Sequence, residues 1–523
     1  MLYYDQYQCF QISMNITKYR LPHPVLTLFA IGFTGLLLSF ASADDGWVSK
    51  YLTVDKDGSI TYKPDENGNT IPDFSHVGYY HRYKEIPKVK VVKTLNYIDS
   101  DAASMIQKAI DEVAALKPDK HGFRGAILLK KGKYSISTSV HIHTEGIVLR
   151  GEGEATRLIA SGKGQRTLIN VEGRGRPTEI TGTRVEITDN YVPVGAKSFT
   201  VRSAAGFKRG DAIMLYRPGT EAWIHDLQMD QITSNEQTKQ WKPEEYHLRY
   251  ERKITEIQGN KVFIDNPVVM QMETKYGGGA IYKYQYNGRI KEVGIEDLRF
   301  ESEYTSDTDE DHGWVAVGFN HIENGWVRNV SAWHFGYACV SLAQGAKNIT
   351  VTDSKCFEAK SQITGSRRYS FNNDGQQNLF MNLETTEGRH DYVTGAKVCG
   401  PNVFYNCKSS KTHADIGPHH RWTTGTLYDN ITTDGEINVQ DRGNWGTGHG
   451  WAGVTQVLWN CKVKGAAVQN PWASGKNYVI GLQGQQLQGR LKGRTHGEWE
   501  GKNQEGLQPV SLFLAQLKAS KKR

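Results

Sequence analysis

The chain has 523 residues, 54 Gly against 15 Pro, and a net charge of +7 with pI near 8.8. It carries no dense Lys/Arg tract, which argues against nucleic acid and leaves an anionic partner of another kind. The length exceeds what one small core needs, whereas a solenoid grows freely because each coil touches only its neighbours.

Residues 1–43 read as a signal peptide: Lys18 and Arg20 precede an apolar run from Val25 to Phe40, and Ala41-Ser42-Ala43 is a small-residue cleavage site. The mature chain is expected to begin at Asp44 as a secreted or periplasmic protein with no membrane span; Met14 is an alternative start. Residues 44–95 form a polar N-terminal extension. Residues 96–180 hold a capping helix and the first coils, with Ile106, Ala109, Ile110, Val113 and Leu116 at helical spacing before Pro118. Residues 181–288 break the rhythm with short alternating runs, read as an inserted antiparallel β subdomain. Its loop 217–245, with Trp223, His225, Asp226 and Trp241, reads as a wall over a groove. Residues 289–485 are the main coils, and 486–523 a tail with a short helix near Leu512–Leu517.

The coils are read from a recurring Asn or Asp. Asp297, Asn329, Asp353, Asn382, Asn406, Asn430 and Asn460 stand at the same point of a short apolar pattern, 32, 24, 29, 24, 24 and 30 residues apart. Such a period marks a stacked repeat. Asn and Asp tolerate a left-handed backbone, as the tight corner of a parallel β-helix requires. The fold class is all-β, a right-handed parallel β-helix. Five cysteines follow Ala43, without zinc spacing, and Cys407 and Cys461 directly follow ladder residues, so they are expected in the core. Of the sequon residues Asn329, Asn348 and Asn430, two belong to the ladder.

Counting forward from each ladder residue aligns Lys360, Arg389 and His413 in one column and Gln362, Asp391 and Asp415 in a second, both expected outward. Ser361, His390 and Ala414, and then Ile363, Tyr392 and Ile416, are expected mostly inward. Ser366–Tyr369, Gly417–Trp422 and Asp441–Trp451 carry the densest polar chemistry and are expected to rim this face. The candidate catalytic residues are His413, His419, His420, Arg421, Arg389, Tyr369 and Lys360. The candidate binding residues are Arg368, His390, Asp391, Asp415, Trp422, Arg442, Trp445, His449 and Trp451. Arginine forks suit carboxylates or sulfates, and indoles stack on sugar rings.

Asp73–Tyr79, Gly122–Leu129, Gly146–Gly153 and the later coils resemble secreted bacterial proteins of the pectate lyase superfamily, over roughly residues 70–480. Gly388–Val393, Gly417–Trp422 and Gly446–Gly453 look like marks of one subgroup. The resemblance implies a right-handed parallel β-helix and polysaccharide lyase activity, without assigning the catalytic residues. The Asp-rich calcium cluster of typical pectate lyases is not visible here. No cofactor is called for, and Ca2+ is kept as the candidate ion.

Three functions follow. In β-elimination on a uronic-acid polysaccharide, Arg389, Arg421 or Arg368 neutralises the carboxylate. A neutral His413, His419 or His420 takes the C5 proton, and Tyr369 or a second His serves as acid. In hydrolysis, Asp391 and Asp415 form a carboxylate pair, against which stand the cations beside them. The third is glycan binding without catalysis. The expected partner is an anionic polysaccharide, with no nucleic acid and no oligomer partner.

Overall fold

The computed structural model describes residues 46–82 and 84–521; the leader read at 1–43 lies outside them. The chain winds as a parallel β-helix. One parallel sheet runs through Val91–Leu95, Gly125–Leu129 and Ile147–Ala160, then Gly294–Ser302, Trp326–Trp333 and one short strand per coil to Glu498–Glu500. A second follows past the corner, including Lys355–Phe357, Glu384–Thr386 and Lys408–Ser410. A third comprises Val140–Ile142, Arg166–Glu172, Gly313–Asn320, Ala338–Leu342, Phe371–Asn373, Tyr392–Thr394 and Gly417–Pro418.

All seven ladder residues sit at positive φ, between 51° and 57°. Their side chains bond from coil to coil: Asn329 Nδ2 donates to Asp297 Oδ1 (2.7 Å), Asn382 to Asp353 (3.0 Å), Asn406 to Asn382 (2.8 Å) and Asn460 to Asn430 (3.2 Å). The residue after each corner turns inward: Leu298, Val330, Ser354, Leu383, Cys407, Ile431 and Cys461 are all buried. Gly481 (φ 69°) and Gly501 (φ 63°) continue the column without a side chain. The coils therefore run past residue 485, and Arg490 and Arg494 lie between coil strands instead of in a tail. A second left-handed column, Glu292, Asn324, Asn348 and Gln377, marks another corner and accounts for the sequon residue Asn348. The five cysteines among the described residues are free and buried.

The helix Ala103–Ala114 turns Ile106, Ala109, Ile110 and Val113 onto the first coil strands. It stops before Leu116, which is exposed and not on the packed face. Ala212–Arg217 pairs antiparallel with Leu248–Gln258 and Ala280–Gln285. These strands share an apolar cluster with Trp422, Trp451 and Val454 of the coils. The N-terminal segment 52–77 and the helix Leu512–Ser520 cover the outer side of the first sheet, around Leu379, Val403, Leu427 and Val457. Gln516 joins them, donating to Pro72 O and accepting from Phe74 N. With that side covered, polar chemistry gathers at the loops around the third sheet. Among the described residues no helix is long and apolar enough to cross a membrane.

A β-branched residue at a left-handed corner is strained, whereas Gly loses only the ladder bond. Asn406→Val is expected to cost about 2–3 kcal/mol and Asn406→Gly about 1 kcal/mol, read from denaturant unfolding.

Candidate functional site

Four segments meet beside the last strands of the third sheet. Tyr369, Arg389 and His390 precede the strands Phe371–Asn373 and Tyr392–Thr394, and the His390 amide bonds Arg368 O at 3.0 Å. His419 and His420 follow Gly417–Pro418, with His419 N on Thr394 O at 3.1 Å. Left-handed turns at Arg368 (φ 54°) and Trp422 (φ 49°) direct these loops. Residues 441–451 close the ring through Arg442 N to Gly450 O and Trp422 N to Trp451 O.

The side chains pack as one cluster. Ring centroids of His390 and His419 lie 3.9 Å apart, His419 and His420 4.8 Å, and His420 and His449 5.0 Å. Tyr369 lies 5.1 Å from His390 and 5.5 Å from His419. His390 Nδ1 donates to the backbone oxygen of Asp415 at 2.6 Å, and Arg442 Nη1 bonds Asp415 Oδ2 at 3.0 Å. Trp445, 42% exposed, is flanked by the guanidinium groups of Arg442 (4.9 Å) and Arg490 (4.7 Å).

Burial keeps all four imidazoles uncharged, and Arg442 adds to the effect in each. His390 and His420 are pushed down to about 4, His449 to about 3, and His419 lower still. Burial pushes Asp415 up, but the Arg442 guanidinium that bonds it holds it below the usual carboxylate range. Burial raises Tyr369, opposed by Arg389, which bonds it. Several buried polar atoms have no partner: Arg389 Nη1, Arg442 Nε, His390 Nε2, His419 Nδ1 and His449 Nδ1. Buried polar groups are normally satisfied, so this concentration marks where a ligand would bond.

The structure thus brings together Tyr369, Arg389, His390, Asp415, His419, His420, Arg442 and His449, with Arg421 at the edge on Thr447 (2.6 Å to Oγ1). Other candidates lie elsewhere. Asp391 is not outward: it is buried inside the coil, accepts from Ser370 Oγ at 2.7 Å, and is raised by burial to about 6. Strand alternation fails there because 387–391 is a turn, and the strand begins at Tyr392. Ile363, expected inward, is 53% exposed. Lys360 bonds Asp307 at 2.9 Å, and Arg368 bonds Ser361 O and Asp307 O. His413 is exposed and lies in the field of Arg368, Glu387 and Asp434. Trp422 and Trp451 are sealed with Trp223 and Trp241 behind the site and present no face to a sugar; the Trp223 and Trp422 rings lie 4.9 Å apart. In the 217–245 loop, only His225 and Asp226 remain exposed of the four residues singled out.

Other residues had no signal in the sequence. A cleft of about 140 Å3 is lined by Asp374, Lys397, Arg249 and His247. It adjoins the cluster through Lys397 N on Arg421 O (2.6 Å) and through Tyr337, 5.1 Å from Tyr369. Burial raises the Asp374 carboxyl, yet in sequence it reads as one residue of an Asn-Asn-Asp-Gly turn. A cavity of about 1360 Å3 lies elsewhere, among the N-terminal segment, the antiparallel strands and the C-terminal helix. Its Asp73 is already paired with Lys197 at 2.7 Å, and the chemistry gathers at the histidines instead. The described residues offer two ion-binding groups, His419/His420/His449 and His390/Asp415/His419. Imidazole-dominated donors do not fit Ca2+, which takes oxygen ligands.

No family model matches the chain, and no curated protein does. Among solved structures, it is similar to the Gp54 tailspike of Acinetobacter baumannii bacteriophage AP22, at 11% identity over 77% of this chain and 67% of that one (TM-score 0.40). It is similar also to an alginate lyase from Paenibacillus sp., at 10% identity over 80% and 99% (TM-score 0.37). A third is an iota-carrageenase, at 9% over 76% and 60% (TM-score 0.32). Likeness this remote does not bear on function.

Arg494 pins the 441–451 loop, its Nη2 lying 2.7 Å from the buried Asp441 carboxylate. Arg494→Ala strands that charge and is expected to cost about 3 kcal/mol. Thermal unfolding reads the loss, and Arg494→Lys should recover part of it.

Proposed function

We propose that the chain is a secreted enzyme that cleaves a uronic-acid-containing polysaccharide by β-elimination at this cluster. The observation that carries the reading is the convergence of unpartnered buried guanidinium N–H groups with uncharged imidazoles. Elimination needs those two things: a cationic clamp for the C6 carboxylate and an unprotonated base beside it.

Arg389 Nη1 and Arg442 Nε donate to the carboxylate and stabilise the charge that develops as C5 loses its proton. Of the half-buried imidazoles His420 and His449, His420 is assigned as the base, its ring lying 6.4 Å from that of Tyr369. Tyr369, held by Arg389, gives its proton to the leaving glycosidic oxygen. The C5–H and C4–O bonds break, a C4–C5 double bond forms, and the phenol regains a proton from His420 or solvent. Trp445 offers an exposed ring to a neighbouring sugar. Hydrolysis by Asp391 and Asp415 has no such support, because Asp391 is enclosed in the coil and Asp415 is bound to Arg442.

The mature chain, incubated with pectin, alginate, chondroitin and ulvan, is expected to generate the ultraviolet band of a 4,5-unsaturated uronate on at least one. New reducing ends without that band would replace the reading with hydrolysis, and intact polymer throughout with binding. On the polymer cleaved, His420→Ala is expected to lower kcat/KM by about 10²–10⁴-fold and Arg389→Ala by about a hundredfold. Asp391→Asn should leave kcat/KM unchanged.

A further inference from the structure

We propose that His390, Asp415 and His419 form a binding site for a divalent transition ion of the Zn2+ or Co2+ class, at the back of the cluster. One donor atom from each residue lies within 4.8 Å of the others. The set of two imidazoles and one carboxylate is that of open catalytic metal sites, which leave a position for water or substrate.

The hydrogen bonding around His390 supports this assignment. A carbonyl oxygen can only accept, so the 2.6 Å contact with Asp415 O places the proton on His390 Nδ1. The lone pair is then on Nε2, which is buried and has no partner. Metal-binding histidines characteristically donate their second nitrogen to a backbone carbonyl or carboxylate, which fixes ring and tautomer. His419, 7% exposed, likewise has an unpartnered Nδ1, and its ring lies 3.9 Å from that of His390. Arg442 holds Asp415 Oδ2 at 3.0 Å, and Oδ1 lies 3.4 Å from His390 Nδ1, so the carboxylate has to turn from that nitrogen to close on an ion at Nε2. Arg389 and Arg442 oppose a cation by Coulomb repulsion, so affinity rests on direct ligation and not on the field of the site.

A bound ion would add Lewis acidity beside the arginine clamp and leave His420 unligated for proton transfer. The site does not depend on the β-elimination reading. A chain that binds the ion at these residues but leaves every polymer intact retains the site and loses that reading.

The test is a Co2+ titration of the EDTA-stripped mature chain, followed by its visible d–d absorption, with Zn2+ competition and metal analysis. One ion per chain is expected, with affinity lower by about tenfold or more in His390→Ala and Asp415→Asn and unchanged in His449→Ala. Near-UV circular dichroism checks that each variant is folded. If a variant does not fold, imidazole 15N NMR of the wild-type chain decides: Zn2+ must shift the ring nitrogens of His390 and His419. Absence of Co2+ binding overturns the proposal. So does binding that His449→Ala abolishes and His390→Ala leaves intact, or ring nitrogens of His390 and His419 that Zn2+ does not shift.

Discussion

A backbone corner held at positive φ is the constraint on which the rest of this molecule depends. Each coil must turn sharply between the first and second sheets, and a left-handed residue does so in a single step. Asn and Asp reach that conformation at low cost, and here they also bond to the equivalent residue of the neighbouring coil. The corner thereby sets where each following strand starts. Tyr369, His390 and His419 come from three successive coils, yet they meet because coils stack about 4.8 Å apart.

The second determinant is electrostatic. Four imidazoles in ring contact cannot all be protonated, and burial beside Arg389, Arg421 and Arg442 keeps them uncharged. The cluster therefore combines permanent cations with neutral nitrogen lone pairs, and Asp415 is its one carboxylate. Such a place lacks an anion, an electrophile, or both. The two proposals address these two needs from different atoms: spare arginine N–H groups for a carboxylate, and Nε2 of His390 with Nδ1 of His419 for an ion.

Segments distant in the chain hold this arrangement in place. Trp223 and Trp241 from the antiparallel region pack against Trp422 of the coils, in a cluster that includes Trp451, so aromatic groups stiffen the back of the site. Arg490 and Arg494, between the last coil strands, grip the 441–451 loop through Arg442 O, Asn444 and Asp441. Trp445 is left at the surface between two guanidinium groups, which orient its ring. The site is thus a product of coil stacking and of two later additions to the coils.

Much of the architecture was legible in the chain because it depends on local rules. Asn and Asp at a fixed point of an apolar pattern mark corners, and an inward neighbour such as Cys407 follows from the geometry of the turn. The loops at 366–369, 417–422 and 441–451 were also legible as concentrations of Arg, His and Trp. Which of those side chains point where was not. Asp391 was expected outward by strand alternation and is enclosed, because its segment is a turn and alternation holds only along extended strand. Trp422 and Trp451 looked like sugar platforms; Trp422 instead packs on Trp223 and Trp241, and Trp451 donates to Leu227 O, partnerships some two hundred residues apart that no local pattern encodes. Asp374 and Arg494 carried no signal, since their surroundings are built by other coils. By itself, then, the sequence determined the repeat, its corners and the chemical types available, because backbone conformation at a turn is a property of one or two residues. Tertiary structure alone decided which imidazoles touch, which carboxylates are buried and which polar atoms stay unpaired, because those depend on atoms brought together only when the coils stack.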